Sequence, residues 1–165
     1  MKVILPLLLL SLLRLCASAQ DSARSLVARD SARAQGLRMM KAYTRGDFDA
    51  YCRYAYPKEL AKMDLPGFKA ACREEGVYYK KHGTPQFDVQ AGDTVYLVQT
   101  DTLLECLCPM LLQQKGCKAV YTRNIGFSKD GGQHWLFLGA TNENRYSLMM
   151  DFPEIDVHLF PVTHS

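Results

Sequence analysis

The chain has 165 residues, a formal net charge of +3, 48% hydrophobic residues and six cysteines. That length suits one domain with a core of its own. With 20 basic and 17 acidic residues and no basic block, the composition excludes a partner recognised through bulk charge, such as nucleic acid or an anionic membrane.

The first nineteen residues carry a pattern of their own. Lys2 is a basic start, Val3 to Leu13 is nearly unbroken apolar sequence, and Ala17-Ser18-Ala19 supplies the small residues of a peptidase site. Residues 1–19 read as a secretory signal cleaved near Ala19, which predicts a secreted or periplasmic mature chain of about 146 residues. Losing Lys2 and Arg14 takes the charge from +3 to +1. The apolar run falls short of the about 20 residues of a spanning helix, and no second one follows, so no stable membrane anchor is predicted.

Residues 21–45, rich in Ala, Arg and Ser, predict a helix. Its apolar spacing tightens only towards Leu37 and Met40, so residues 20–36 are expected to be a lead open to fraying and 37–165 the domain proper. Gly46-Asp47 ends one helix and caps the next. Phe48, Tyr51, Cys52 and Ala55 form one buried helical stripe, cut short or restarted at Pro57. A third helix is predicted from Pro66 to Gly83, with Phe68, Ala71, Cys72 and Tyr79 facing inward. After Pro85 the period changes to two. Strands are expected at Phe87–Val89, Thr94–Val98, Leu103–Cys108, Lys118–Phe127 and Trp135–Leu138. Consecutive strands with short turns imply an antiparallel meander. Two to three N-terminal helices packed on an antiparallel sheet of four to five strands is an α+β layout.

Three segments carry a family resemblance. Met39-Met-Lys-Ala-Tyr-Thr-Arg-Gly-Asp-Phe-Asp-Ala-Tyr resembles the opening of NTF2-like, cystatin-like domains. Ile125-Gly-Phe-Ser-Lys-Asp-Gly-Gly-Gln-His-Trp-Leu-Phe-Leu is similar to a hairpin of small secreted bacterial members, and Phe152 to Pro161 to their closing strand. The resemblance covers roughly residues 37–161 and implies a curved sheet wrapped around helices, often with a cone-shaped pocket. That superfamily hosts enzymes and binding modules alike, so the fold does not fix the function.

The hairpin segment also fits another pattern. Ser128, Asp130, Gly132 and Trp135 match the Ser-x-Asp-x-Gly-x-x-Trp skeleton of sialidase Asp-boxes, with His134 where threonine is usual. One copy cannot build a propeller. The expected role is structural: Asp130 accepts turn N–H groups, the glycines take positive φ, and Trp135 packs beneath, shielded from solvent.

Five cysteines follow the signal. Cys52 and Cys72 sit on the inner stripes of neighbouring predicted helices, and Cys108 and Cys117 would face each other if Pro109–Gly116 is the hairpin loop. Both pairs are candidate disulfides in an oxidising compartment. Some or all of the cysteines as small buried hydrophobes is the competing reading. Cys106-x-Cys108 with Cys117 lacks the fourth ligand and the paired spacing of structural zinc, so no metal and no cofactor is expected.

Catalytic candidates are sparse. His134 lies in a turn, His158 on a presumed strand, His82 at a helix end and His164 in the tail; Asp47 reads as a cap, and the tyrosines as core. No nucleophile–base pairing stands out. The sequence therefore predicts a noncatalytic module that binds a small ligand or a protein partner through the concave sheet face, with a homodimer as one form. A pocket enzyme of isomerase, lyase or hydrolase type is the alternative.

Overall fold

The structure is a computed structural model; it describes residues 4–70, 74, 87–92, 95–114, 117–140 and 145–160. Helix α1 runs Ile4–Thr44. From Ala28 on, one face of the expected frayed lead is instead packed into the core, while Leu26 and Val27 before it stay exposed. Ala28 and Ala32 are buried together with Met39 and Met40. The cause is size. Ala28, Ala32 and Gly36 recur every four residues and share one face, so the helix approaches the sheet closely. A Cβ at Gly36 would lie 2.7 Å from the Met110 Cε.

Gly46, with φ 69°, ends α1. The Asp47 carboxylate accepts the Ala50 N–H at 3.0 Å and caps α2 (Phe48–Cys52). Pro57 opens α3 (Pro57–Lys62), as proline suits a first helical position. Residues 65–70 are helical again. The remainder of the third predicted helix, including Ala71, Cys72 and Tyr79, lies outside the described residues.

Five strands follow: β1 (Phe87–Ala91), β2 (Tyr96–Gln99), β3 (Leu104–Gln114), β4 (Val120–Ser128) and β5 (Leu136–Ala140). Every pairing between named strands is antiparallel, so the α+β class holds, but the order is not a simple meander. β1 and β2 lie end to end along the same edge of β3, and β4 and β5 continue the sheet on its other side. Proline chemistry accounts for the break. The Gly92 N–H donates to the Pro109 carbonyl at 2.8 Å. Pro109 has no N–H to return, so the ladder stops there and resumes two residues out of register.

β3 is longer than its predicted span. The segment expected to be a loop, Pro109 to Gln114, is strand, and Cys108 pairs with Asn124. Cys108 is buried while Cys117 sits exposed beyond the end of β3, and neither is in a disulfide. The 108–117 bond required a shorter strand than the sequence forms. Cys72, the partner proposed for Cys52, is outside the described residues.

The last described segment corrects another expectation. Phe152–Phe160 is not a closing strand. It follows a helix, α4 (Arg145–Asp151), and ends in a 3₁₀ turn at Val157–Leu159, where the Asp156 carboxylate accepts the His158 N–H. Phe152, Ile155, Leu159 and Phe160 form a strap over Leu107, Ile125, Phe127 and Leu138. The sheet is therefore covered on both faces. Alternation places Cys106, Cys108, Met110 and Phe137 against α1 and their odd- or even-numbered neighbours against the strap. The outer edge of β5 is also closed: the Tyr56 N–H donates to the Phe137 carbonyl, and the Phe137 N–H to the Tyr54 carbonyl, at 2.7 and 2.6 Å. That contact brings the start of α3 beside the end of the sheet.

Candidate ligand-binding pocket

The β4–β5 turn brings all four motif residues together. The Ser128 hydroxyl donates to Asp130 at 2.8 Å and accepts the Gly132 N–H at 2.9 Å. The Asp130 carboxylate also accepts the backbone N–H groups of Gln133 and His134, each at 3.0 Å, and holds the His134 Nδ1. The His134 backbone, its ring, Ser128 and Gln133 together hold the Asp130 carboxyl well below the usual carboxylate range. Gly131 and Gly132 take φ of 73° and 92°. Trp135 is 1% exposed and donates its indole N–H to the Gly132 carbonyl at 2.9 Å.

Helix α1 fixes this turn from outside. The Gln35 amide donates to the Gln133 carbonyl at 2.7 Å and accepts the Trp135 N–H at 3.1 Å. Ala28 sits so close that a Cβ at Gly132 would lie 2.6 Å from its own Cβ. The turn is thus a rigid wall.

That wall bounds an open cavity of about 890 Å³ on the strap side of the sheet. Its apolar part comes from Phe127 on β4, Leu136 on β5, Leu103 before β3 and Pro57 at the start of α3. Tyr56 stacks on Phe127 with ring centroids 4.5 Å apart. Its hydroxyl donates to Glu154 at 2.9 Å, and the Lys58 ammonium meets the same Glu154 oxygen at 2.8 Å. Burial first, then the Glu154 hydrogen bond and the negative charges of Glu154 and Glu105, push the Tyr56 phenol up to about 12. Burial works against ionising Glu154, but Lys58 and Tyr56 outweigh it and hold its carboxyl below the ordinary range. Asp130, His134 and Lys129 complete the rim from the turn.

Behind the pocket lies Glu105, fully buried on β3. One of its oxygens accepts the Asp156 N–H at 2.9 Å, and the other has no hydrogen-bond partner among the described residues. Burial raises its carboxyl, and the nearby Asp156 and Glu154 charges add to this; the Asp156 hydrogen bond works the other way.

The other sequence candidates lie apart. His158 is exposed on the 3₁₀ turn, bonded to Asp156. His82 and His164 fall outside the described residues. Asp47 is a cap. Burial pushes the Cys108 thiol up to about 12 and the Cys106 thiol higher still, so both are inert packing groups. Among the described residues no cluster of His, Cys, Asp or Glu suits a metal, and no helix is long and apolar enough to cross a membrane. Sequence reasoning missed Tyr56, Lys58, Lys129, Glu154 and Glu105. The only available signal was Tyr56-Pro57 at a helix start, which says nothing of a pocket. No family model, no curated protein and no solved structure matches the chain.

Proposed function

We propose that this chain is an exported, noncatalytic binding module whose cavity beside the β4–β5 turn takes a small ligand. The observation that carries this is the pairing state of the polar groups around an otherwise apolar cavity. Tyr56 and Lys58 converge on Glu154, and His134 on Asp130. General acid–base work near pH 7 needs a group tuned towards neutrality. Here the two carboxyls are held down and the phenol is pushed up to about 12. Such groups orient a ligand without exchanging protons with it. The volume falls within the about 300–1,000 Å³ typical of small-molecule sites.

Export rests on the Met1–Ala19 pattern, and cleavage near Ala19 would leave intact the contacts that α1 makes from Ala28 onward. The helix-first order and antiparallel sheet support the NTF2-like reading of the sequence, with the ligand at the end of the sheet and not in a central cone.

The pocket enzyme is the second reading, favoured by one feature. Asp130 engages the His134 Nδ1, which leaves Nε2 facing outward on a pocket residue. Ligand-observed NMR with small aromatic fragments separates the two. Binding without turnover, lost when Leu103→Trp fills the cavity in a protein that still unfolds cooperatively, is the expected result. Turnover of any bound compound that disappears in His134→Gln would replace the binding module with the enzyme.

A further inference from the structure

We propose that the pocket selects an amphipathic monoanion, a flat apolar body carrying a single carboxylate or similar head held by Lys129. This deepens the binding-module reading and rests on it. Among the described residues the rim carries three basic side chains, Lys58, Lys129 and His134, and two acidic ones, Asp130 and Glu154. Four of these five are already committed. Lys58 lies 2.8 Å from Glu154, which also accepts the Tyr56 hydroxyl, and His134 is held by Asp130. Lys129 alone has no carboxylate partner among the described residues.

Its position is fixed by its neighbours. Ser128 is buried at the end of β4, and the Asp130 carboxylate is tied into the turn by four hydrogen bonds. The Lys129 backbone is therefore anchored on both sides while its side chain stays exposed at the cavity mouth. A long aliphatic stem with a mobile ammonium can follow a head group without disturbing the wall. Lys129 also borders a smaller cavity of about 530 Å³ across the Thr102–Leu103 ridge. There Arg24 and Asp101 supply one charge of each sign, so that side leaves the charge count at Lys129 unchanged.

The body of the ligand follows from the walls. Phe127, Leu103, Leu136 and Pro57 offer no hydrogen bonds from their side chains, and the Tyr56–Phe127 stack presents aromatic surface. A polyanion such as nucleic acid would meet one unmatched cation and two carboxylates, which is the wrong field. A cation would find each carboxylate already matched.

The test uses two probes of one shape, naphthalene-2-carboxylate and naphthalene-2-carboxamide, titrated calorimetrically into the full protein. The carboxylate should bind about five-fold more tightly, the upper range for a solvent-exposed ion pair, and added salt should narrow the gap. Lys129→Gln should bring the ratio to about one and Lys129→Arg should restore it. Leu103→Trp should abolish both. If both probes bind equally and Leu103→Trp removes both, the pocket stands and the charge selection is overturned. A preference that survives Lys129→Gln overturns the role of Lys129. If neither probe binds, or Leu103→Trp leaves binding unchanged, the pocket reading itself falls.

Discussion

The two faces of the sheet are covered by different physics. On one, α1 is held by shape: Ala28, Ala32 and Gly36 let it approach, and Met39, Met110, Trp135 and Phe137 fill the space. The other face is covered by a short strap whose apolar contacts are supplemented by polar ties, some of them between charged groups. Glu105 holds the Asp156 N–H, Lys58 and Tyr56 hold Glu154, and Lys62 reaches Asp151 while lying 4.4 Å over the Phe152 ring. The first attachment should be indifferent to pH and salt. The second should respond to both, and it forms one side of the pocket.

The largest effect belongs to the packed face. Trp135→Ala empties a fully buried site and removes the indole tie to the turn. A loss of about 3–5 kcal/mol is expected in urea unfolding, independent of pH between 5 and 8. Next comes Gly132→Ala. It puts a Cβ 2.6 Å from that of Ala28 at a φ of 92°, for a loss of about 1–3 kcal/mol. If Gly132→Ala were neutral, the close seating of α1 on the turn would be wrong.

The strap face should behave in the opposite sense. Glu105 is buried among Tyr56, Glu154 and Asp156, with His158 bonded to Asp156 and no basic group against the carboxylate among the described residues. Burial favours the neutral acid, so the folded chain keeps this proton to a higher pH than the unfolded chain does. The resulting contribution to stability is complete below the ordinary glutamate range and is lost as pH rises through the raised folded value. Glu105→Gln keeps an acceptor for the Asp156 N–H without the charge. It should stabilise the protein at pH 8 by on the order of 1 kcal/mol and flatten the decline between pH 5 and 8. A destabilised Glu105→Gln at pH 8 would mean that the ionised carboxylate holds the strap.

How far the sequence showed these two faces follows from what each is made of. The strands announce themselves through period two and β-branched residues, and the turn through Ser128, Asp130 and its glycines, so both lie where the pattern puts them. The front of α1 was hidden because Ala28, Ala32 and Gly36 bury little area and leave the helical period faint, although their packing against the sheet is close. Pro109 looked like the edge of a loop, yet the strand tolerates it because the missing N–H falls where β1 gives way to β2. The strap was hidden for a third reason. Alternation in Val157, His158 and Leu159 suits a strand, but the Asp156 cap and the Glu105 carboxylate are tertiary facts with no local signature. The pocket draws on four separated segments, and only the turn carried a motif.

The smallest expected effect is also the sharpest probe of the contrast. The Lys62 and Asp151 side chains are each more than half exposed, so their ion pair is worth about 0.5 kcal/mol or less. Global unfolding will barely register Lys62→Gln. Local opening will, because a segment of this size exchanges its amides through its own small fluctuations. Removing the charge, or screening it with salt, should speed hydrogen exchange at Ile155 and Leu159 and leave the α1 amides from Ala32 to Met40 unchanged. Equal acceleration on both faces would mean that strap and helix open together as one unit. Ligand capture beside the strap would then require loosening the whole domain, which a rigid β4–β5 turn makes unfavourable.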